Sequence, residues 1–304
     1  MSHAESDTPT RAGFVALIGA PNAGKSTLIN KLVGTKVAIV SHKVQTTRST
    51  IRGILMAGRA QIIFVDTPGI FRPKRRLDRA MVETAWGGAR DADVIALLVD
   101  ATTGLNDDVR DTIAKLADIR GPKILLLNKI DAVKREVLLE MTAQANAILA
   151  FDRTFMVSAL TGDGLDDLVG WVAGRLPEGP WLYPEDEVSD VPLRQLAAEI
   201  TREKLFERLH QELPYQATVE TEAWTEQKDG SVRVEQTIFV ERDSQKKIVI
   251  GAGGSTIKAI SMSARKEIAD IAETPVHLFL FVKVRENWAD DPERYRVIGI
   301  EFPK

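Results

Sequence analysis

The sequence has no cysteine among its 304 residues. Disulfides, cysteine–zinc centres and thiol nucleophiles are excluded, and a reducing compartment is suited. Its four histidines, His3, His42, His210 and His277, are scattered without metal-ligand spacing. Long apolar runs are missing too. Val94–Val99, one of the longest, is closed off by Asp93 and Asp100, far short of a membrane span. The first ten residues, MSHAESDTPT, are polar with two acids and do not read as a signal peptide. Nor is there an excess of positive charge. The net charge is −3, so no overall field gathers polyanions and any polyanion site must be local. What is present is globular in proportion: 44% hydrophobic and 27% charged residues, at a length that suits two domains.

Residues 1–11 read as a flexible tail. From 12 to 177, β-rich runs alternate with amphipathic helical stretches. The expected strands are 14–18, 51–56, 61–65, 94–99, 123–127 and 154–157, and the expected helices 25–33, 77–90, 107–118, 133–149 and 165–175. This alternation predicts an α/β sheet covered on both faces. Residues 178–192 read as a linker, since Pro177, Pro180, Pro184 and Pro192 fall within sixteen positions among several acids. The pattern then changes. Residues 193–212 look helical, and 215–223 and 232–240 alternate around Asp229-Gly230 as a hairpin would. A helix, a glycine-rich turn and a second helix fill 244–272, and 278–284 is a last strand. The order α-β-β-α-α-β over 193–304 predicts a smaller α+β domain, with residues 287–304 extending beyond its core.

Gly19-Ala20-Pro21-Asn22-Ala23-Gly24-Lys25-Ser26 fits G-x-x-x-x-G-K-[ST] between an expected strand and an expected helix. Glycines let backbone N–H groups converge on phosphate oxygens, and the helix start, continuing into Thr27, adds positive potential. Lys25 would reach the β- and γ-phosphates and Ser26 would ligate magnesium. Asp66-Thr67-Pro68-Gly69-Ile70 ends an apolar run. A carboxylate there can hold magnesium through water, and the Gly69 N–H can meet a γ-phosphate. Asn128-Lys129-Ile130-Asp131 follows another. Asp131 can accept two N–H bonds from guanine N1 and N2, a pair that adenine lacks. Ser158-Ala159-Leu160 follows the next strand, and the Ala159 N–H would donate to guanine O6. Any one of these motifs alone is weak. Four in order at successive strand ends predict a guanine nucleotide site at the carboxyl edge of the sheet.

These motifs resemble the translation-factor-like class of GTPases. The resemblance implies a mobile loop whose threonine closes on magnesium and the γ-phosphate. The candidates lie in Gln45-Thr46-Thr47-Arg48, and Thr47, standing before arginine, is preferred. Position 70 departs from the Ras-like pattern. Isoleucine has no polar group to orient the attacking water, where that pattern has glutamine. Slow unaided hydrolysis is expected. Similar loops reading P-N-x-G-K-S imply that Asn22 helps hold a potassium ion beside the phosphates.

Ile250-Gly251-Ala252-Gly253-Gly254-Ser255-Thr256-Ile257-Lys258 places G-x-x-G between two expected helices. KH domains use such a loop to clamp about four single-stranded nucleotides. Glycine lets phosphates approach the backbone, and Ile250 and Ile257 would line a base groove. Residues 190–304 hold 17 basic and 20 acidic side chains. Around the loop the balance reverses: Arg242, Lys246, Lys247, Lys258, Arg265 and Lys266 face only Asp243 between 242 and 266. The element order is that of the type II KH arrangement.

A P-loop GTPase domain followed by a type II KH domain, with G-A-P-N-A-G-K-S, Q-T-T-R, D-T-P-G-I, N-K-I-D, S-A-L and I-G-A-G-G, resembles the Era family of ribosome-assembly GTPases. The resemblance covers the chain after its tail. It implies GTP hydrolysis to GDP and phosphate with magnesium, by a monomer. It also implies binding to the 3′ end of 16S rRNA on the 30S subunit, in a cytoplasmic protein that touches the inner membrane peripherally. Related tRNA-modification GTPases use a C-terminal cysteine motif that is missing here, and tandem G-domain GTPases need a second P-loop.

Overall fold

The computed structural model describes residues 9–43, 46–210, 213–286, 288–293, 295 and 299–303. Gln45, named above as a candidate, lies outside the described residues. The chain divides into two units. One runs to Val37 and resumes as Thr47–Lys74 and Asp78–Asp190; the other holds Ala38–Thr46, Arg75–Leu77 and everything from Val191.

The first unit is built on a six-stranded sheet. Its strands are β1 (Arg11–Gly19), β2 (Ile51–Ala57), β3 (Ala60–Asp66), β4 (Val94–Asp100), β5 (Lys123–Asn128) and β6 (Arg153–Val157), in the order β2-β3-β1-β4-β5-β6. All pairs are parallel except β2 with β3, which are antiparallel across the tight turn at Gly58-Arg59. Four helices join them, α1 (Lys25–Val33), α2 (Arg76–Asp91), α3 (Asp107–Leu116) and α4 (Arg135–Ile148), and α5 (Leu165–Ala173) follows β6. Alternate β1 residues point to opposite faces. Ala16 and Ile18 join a core with Leu97, Ile113, Leu125 and Met141 under α3 and α4, while Val15 and Leu17 are just as buried on the other face. Coverage of both faces is why these strands are continuous apolar runs. Asn106 caps α3 by accepting the Val109 N–H at 3.0 Å.

The parallel register brings the ends of β1, β3 and β5, at Gly19, Asp66 and Asn128, to one edge with the loop after β6. The stretch expected as a linker lies along this unit. The Gln61 side-chain amide is fully buried. It donates to the Tyr183 carbonyl at 2.8 Å and accepts from the N–H groups of Leu182 and Tyr183. Further on, Ile54 N–H donates to Val188 O at 2.9 Å and Arg52 pairs with Asp190 at 2.5 Å.

The second unit carries α6 (Leu193–Arg208), β7 (Ala217–Glu226), β8 (Val232–Val240), α7 (Asp243–Ile250), α8 (Ser255–Ala272) and β9 (Val276–Val284). β7 and β8 form the expected antiparallel hairpin, with Gly230 at φ 81° in its turn. β9 returns parallel to β8 after the two helices. α6 and α8 bury Leu196, Ile200, Ala264 and Ile268 against Val232, Val234 and Leu278 of the sheet. α6 ends at Arg208, short of the expected 212, because Leu209 turns extended at ψ 150°. Among the tryptophans, Trp288 is fully buried and its indole N–H donates to Gln216 O at 2.9 Å.

Candidate functional site

The nucleotide edge starts at the turn after β1. Gly24 sits at φ 100°, and a Cβ there would fall 2.3 Å from Asn128 Nδ2. Both facts require glycine. Behind it Lys25 is buried and donates to the Gly19 and Ala20 carbonyls, each at 3.0 Å. Burial, partly opposed by Asp66, brings its amine down to about 8. An ammonium so placed is under-compensated, and incoming phosphate oxygens would supply the missing charge. Asn22 also has a positive φ, 63°.

Three oxygen donors meet beside Lys25. Ser26 Oγ donates to Asp66 Oδ2 at 2.6 Å and lies 3.0 Å from Thr47 Oγ1, which is 3.5 Å from the same carboxylate oxygen. Burial pushes the Asp66 carboxyl above its ordinary range, against the pull of Lys25 and the two hydroxyls. Asp66 Oδ1 is buried without a hydrogen-bond partner. Two hydroxyls and a carboxylate with an orphaned oxygen suit a hard divalent cation, so magnesium fits this donor set. Thr46 stands apart, its hydroxyl donating to Lys43 O at 2.7 Å. Thr67 is bonded to Leu17 O, and a Cβ on Gly69 would come 2.8 Å from Pro21 N. Ile70 spends even its N–H, on Gly19 O at 2.9 Å.

The base-side residues follow β5 and β6. Asn128 ties them to the phosphate loop through Nδ2 to Ala23 O at 2.8 Å. Its Oδ1 accepts the Ala159 N–H at 2.9 Å. That donor was expected to face guanine O6; in the structure it bonds Asn128, because β5 and β6 end together at the Asn128–Val157 pair and the loop after β6 brings Ala159 back to the Asn128 side chain. Asp131 is exposed, with one oxygen accepting from Ser158 Oγ at 2.5 Å and the other open. Leu160 is largely exposed beside it. Lys129 adopts φ 64° and bonds Asp100 at 2.5 Å. Burial works to raise the Asp100 carboxyl, but Lys129 and Thr102 together hold it below its usual range. Sequence reading missed Asp100. Only the register pairing Asp100 with Asn128 across β4 and β5 reveals it.

In the second unit the glycine loop is a single turn, Ala252–Gly254, between α7 and α8. Gly251, Gly253 and Gly254 all have positive φ, and a Cβ on Gly251 would lie 2.3 Å from Thr256 Oγ1. α8 starts at Ser255 with no side-chain cap, and the Ser255 N–H itself donates to Ala252 O. Arg242, Lys247, Lys258, Arg265 and Lys266 are exposed and Lys246 is half-buried. Among the described residues none of the six is in an ion pair. Ile250 and Ile257 flank the loop half-buried. The arrangement can hold a chain of phosphates by backbone and charge.

The family model described as "50S ribosome-binding GTPase" matches residues 14–129, and the KH domain model matches 212–289. GTPase Era of Sinorhizobium medicae is 68% identical over 97% of this chain and 96% of its own length. GTPase Era of Brucella suis is 65% identical over 97% and 95%. Among solved structures, Era in complex with MgGDPNP and nucleotides 1506–1542 of 16S ribosomal RNA matches with TM-score 0.90 and 38% identity. It covers 95% of this chain and 99% of that one. An Aquifex aeolicus Era variant bound to GDP·AlF4− matches at TM-score 0.89 with the same identity and coverage. No described helix is long and apolar enough to cross a membrane.

Proposed function

Because the chain belongs to the Era family of GTPases, we propose that it is a GTP-hydrolysing ribosome-assembly factor. On this reading it binds the 3′ region of 16S rRNA during 30S maturation, and its RNA binding is coupled to nucleotide state. One observation carries the reading: a single chain holds both a Lys25–Ser26–Asp66 cluster, with Lys25 and Asp66 buried and one carboxylate oxygen orphaned, and an uncapped, basic glycine loop. The Era structure that aligns along nearly the whole chain holds a magnesium nucleotide and a 16S rRNA segment, which supports both halves. The first family model's description names the 50S subunit. The rRNA segment is from the small subunit, and the reading follows the segment.

The reaction is transfer of the γ-phosphoryl group of GTP to water. Backbone N–H groups within residues 19–27, Pro21 having none, and the Gly69 N–H receive the phosphates, and Lys25 turns from the Gly19 and Ala20 carbonyls to the phosphate oxygens. Ser26, Thr47 and Asp66 would hold magnesium, which when bound neutralises charge on the phosphate oxygens. Asp131 selects guanine with its open oxygen. Neither the side chain nor the N–H of Ile70 positions water, so turnover leans on another charge stabiliser. In our reading this is potassium held with the help of Asn22. Replacing K⁺ by Na⁺ should slow turnover, and an unchanged rate would remove potassium from the scheme.

In the second unit, Gly251–Ser255, Lys246, Lys247 and Lys258 take the RNA backbone, and Ile250 and Ile257 take bases. The same family-based reading makes the protein a cytoplasmic monomer with peripheral contact to the inner face of the membrane; sedimentation and vesicle flotation test those parts. The main test is direct. Purified protein should hold and turn over GTP but not ATP, and should retain a 16S 3′ fragment. Equal affinity for ATP would overturn the nucleotide half, and failure to retain rRNA the other.

A further inference from the structure

The second unit includes a piece of chain that precedes Thr47 in sequence. Ile39, Val40, Lys43 and Thr46 are held on α6 by contacts of several kinds. Ile39, 1% exposed, lies in the core with Leu196, Ala197 and Ile200. The Val40 N–H donates to Glu203 Oε1 at 2.7 Å. The Lys43 ammonium donates to the carbonyls of Phe206 and Leu209 at the end of α6. The Arg202 guanidinium donates to the Thr46 carbonyl and grips Glu199 through Nε at 2.8 Å and through Nη2.

Arg202 is an expensive residue at this place. Its side chain is 1% exposed, and its Nη1 is buried with no hydrogen-bond partner. A methionine or leucine would fill the space without burying charge. What they lack is a donor for the Thr46 carbonyl. That oxygen shares one rigid peptide plane with the nitrogen and Cα of Thr47, and holding it constrains how Thr47 is delivered. Thr47 in turn places its hydroxyl 3.0 Å from Ser26 Oγ.

We propose that Arg202 is a positioning residue for GTP hydrolysis: through the Thr46 carbonyl it sets the peptide plane that presents Thr47 to the magnesium site. The inference rests on the reading of Thr47 as a magnesium ligand. GDP needs no γ-phosphate contact from this loop, so the effect belongs to GTP and to the metal, not to nucleotide binding in general.

The test uses the full chain with Arg202→Met, Arg202→Lys and Thr47→Ala. Turnover, the magnesium concentration for half-maximal rate, GDP affinity and thermal midpoint are measured for each. Arg202→Met is expected to lower kcat at least tenfold and to raise the magnesium requirement several-fold, with GDP affinity within twofold of wild type. Arg202→Lys keeps a donor for the carbonyl and should recover part of the rate. The proposal is overturned if Arg202→Met turns over within twofold of wild type. It is equally overturned if GDP affinity and thermal midpoint fall along with the rate and lysine restores nothing, because Arg202 would then be purely structural. If Arg202→Met does not fold, Arg202→Lys decides alone: a magnesium requirement identical to wild type with lowered kcat rejects the proposal. Normal turnover by Thr47→Ala would sink the reading of Thr47 itself, whereas a dead Thr47→Ala beside a normal Arg202→Met sinks only the role of Arg202.

Discussion

Lys25 shows what burying an ammonium costs. Its amine is lowered to about 8 by burial, while in the unfolded chain it titrates near 10.5. Between those values the unfolded chain holds more protons, so the stability of the nucleotide-free protein should rise with pH from about 8 to 10.5. Each pH unit is worth about 1.4 kcal/mol, and the buried charge costs on the order of 3 kcal/mol below pH 8. Lys25→Met should therefore abolish nucleotide binding yet raise the nucleotide-free melting midpoint at pH 7 by a few degrees and flatten the alkaline rise. Calorimetry across that pH range checks both. Asp131 gives a second expectation. Inosine triphosphate lacks the N2 amine and so one of the two donors to the carboxylate. Wild type should bind it about ten- to a hundredfold more weakly than GTP, and Asp131→Ala should bind the two alike in a competition assay. The residues that the structure gathers at one edge of the sheet were legible in sequence because each motif is a short contiguous string. Asp100 was not, since its link to Lys129 crosses 29 positions and exists only through strand register. The partner of the Ala159 N–H was hidden for the same reason.

At the scale of elements, the loop between α7 and α8 can hold RNA only if anions reach it. Ala252, within that loop, is exposed and carries only a small side chain. Ala252→Asp adds a negative charge without a steric demand. It should weaken binding of a 16S 3′ fragment by about tenfold, lessen the salt dependence, and leave GTP turnover without RNA as it was. Electrophoretic shift at two salt concentrations measures this. Asn106→Ala removes the cap of α3 and should cost about 1 kcal/mol by denaturant unfolding, with no change in nucleotide affinity. Most elements could be read from periodicity and their ends were then extended or trimmed by packing. β1 reaches Arg11 and β9 begins at Val276, each beyond the expected limits, because neighbouring strands offer hydrogen bonds there. α6 was expected too long because Leu209 continues its apolar stripe although the backbone has already turned. The direction of β2 could not be read, because an apolar run looks the same whether it is paired parallel or antiparallel.

For the whole molecule the claim that matters is linkage. If the RNA fragment prefers the GTP form by some factor, GTP affinity must rise by that factor when RNA is bound. Titrating RNA against protein loaded with a GTP analogue or with GDP, and the nucleotides against protein with and without RNA, closes the cycle. Equal RNA affinity in both nucleotide states would remove the coupling. The two-part plan was legible in composition and in the change of periodicity near residue 192. The capture of residues 38–46 by the second unit was not, since nothing in those residues' own pattern names α6 as their support.

The clasp of Gln61 on residues 182–183 has a further consequence. With the chain stitched down as far as Asp190, the leash between that sheet and the start of α6 at Leu193 is only Val191 and Pro192. If the two halves act on each other, a short, proline-stiffened leash keeps the effective molarity of each for the other high. A glycine–serine insert between Asp190 and Val191 would dilute it roughly as the −3/2 power of tether length. If GTP and RNA cooperate, tether length becomes a dial on that cooperation that leaves every binding residue unchanged.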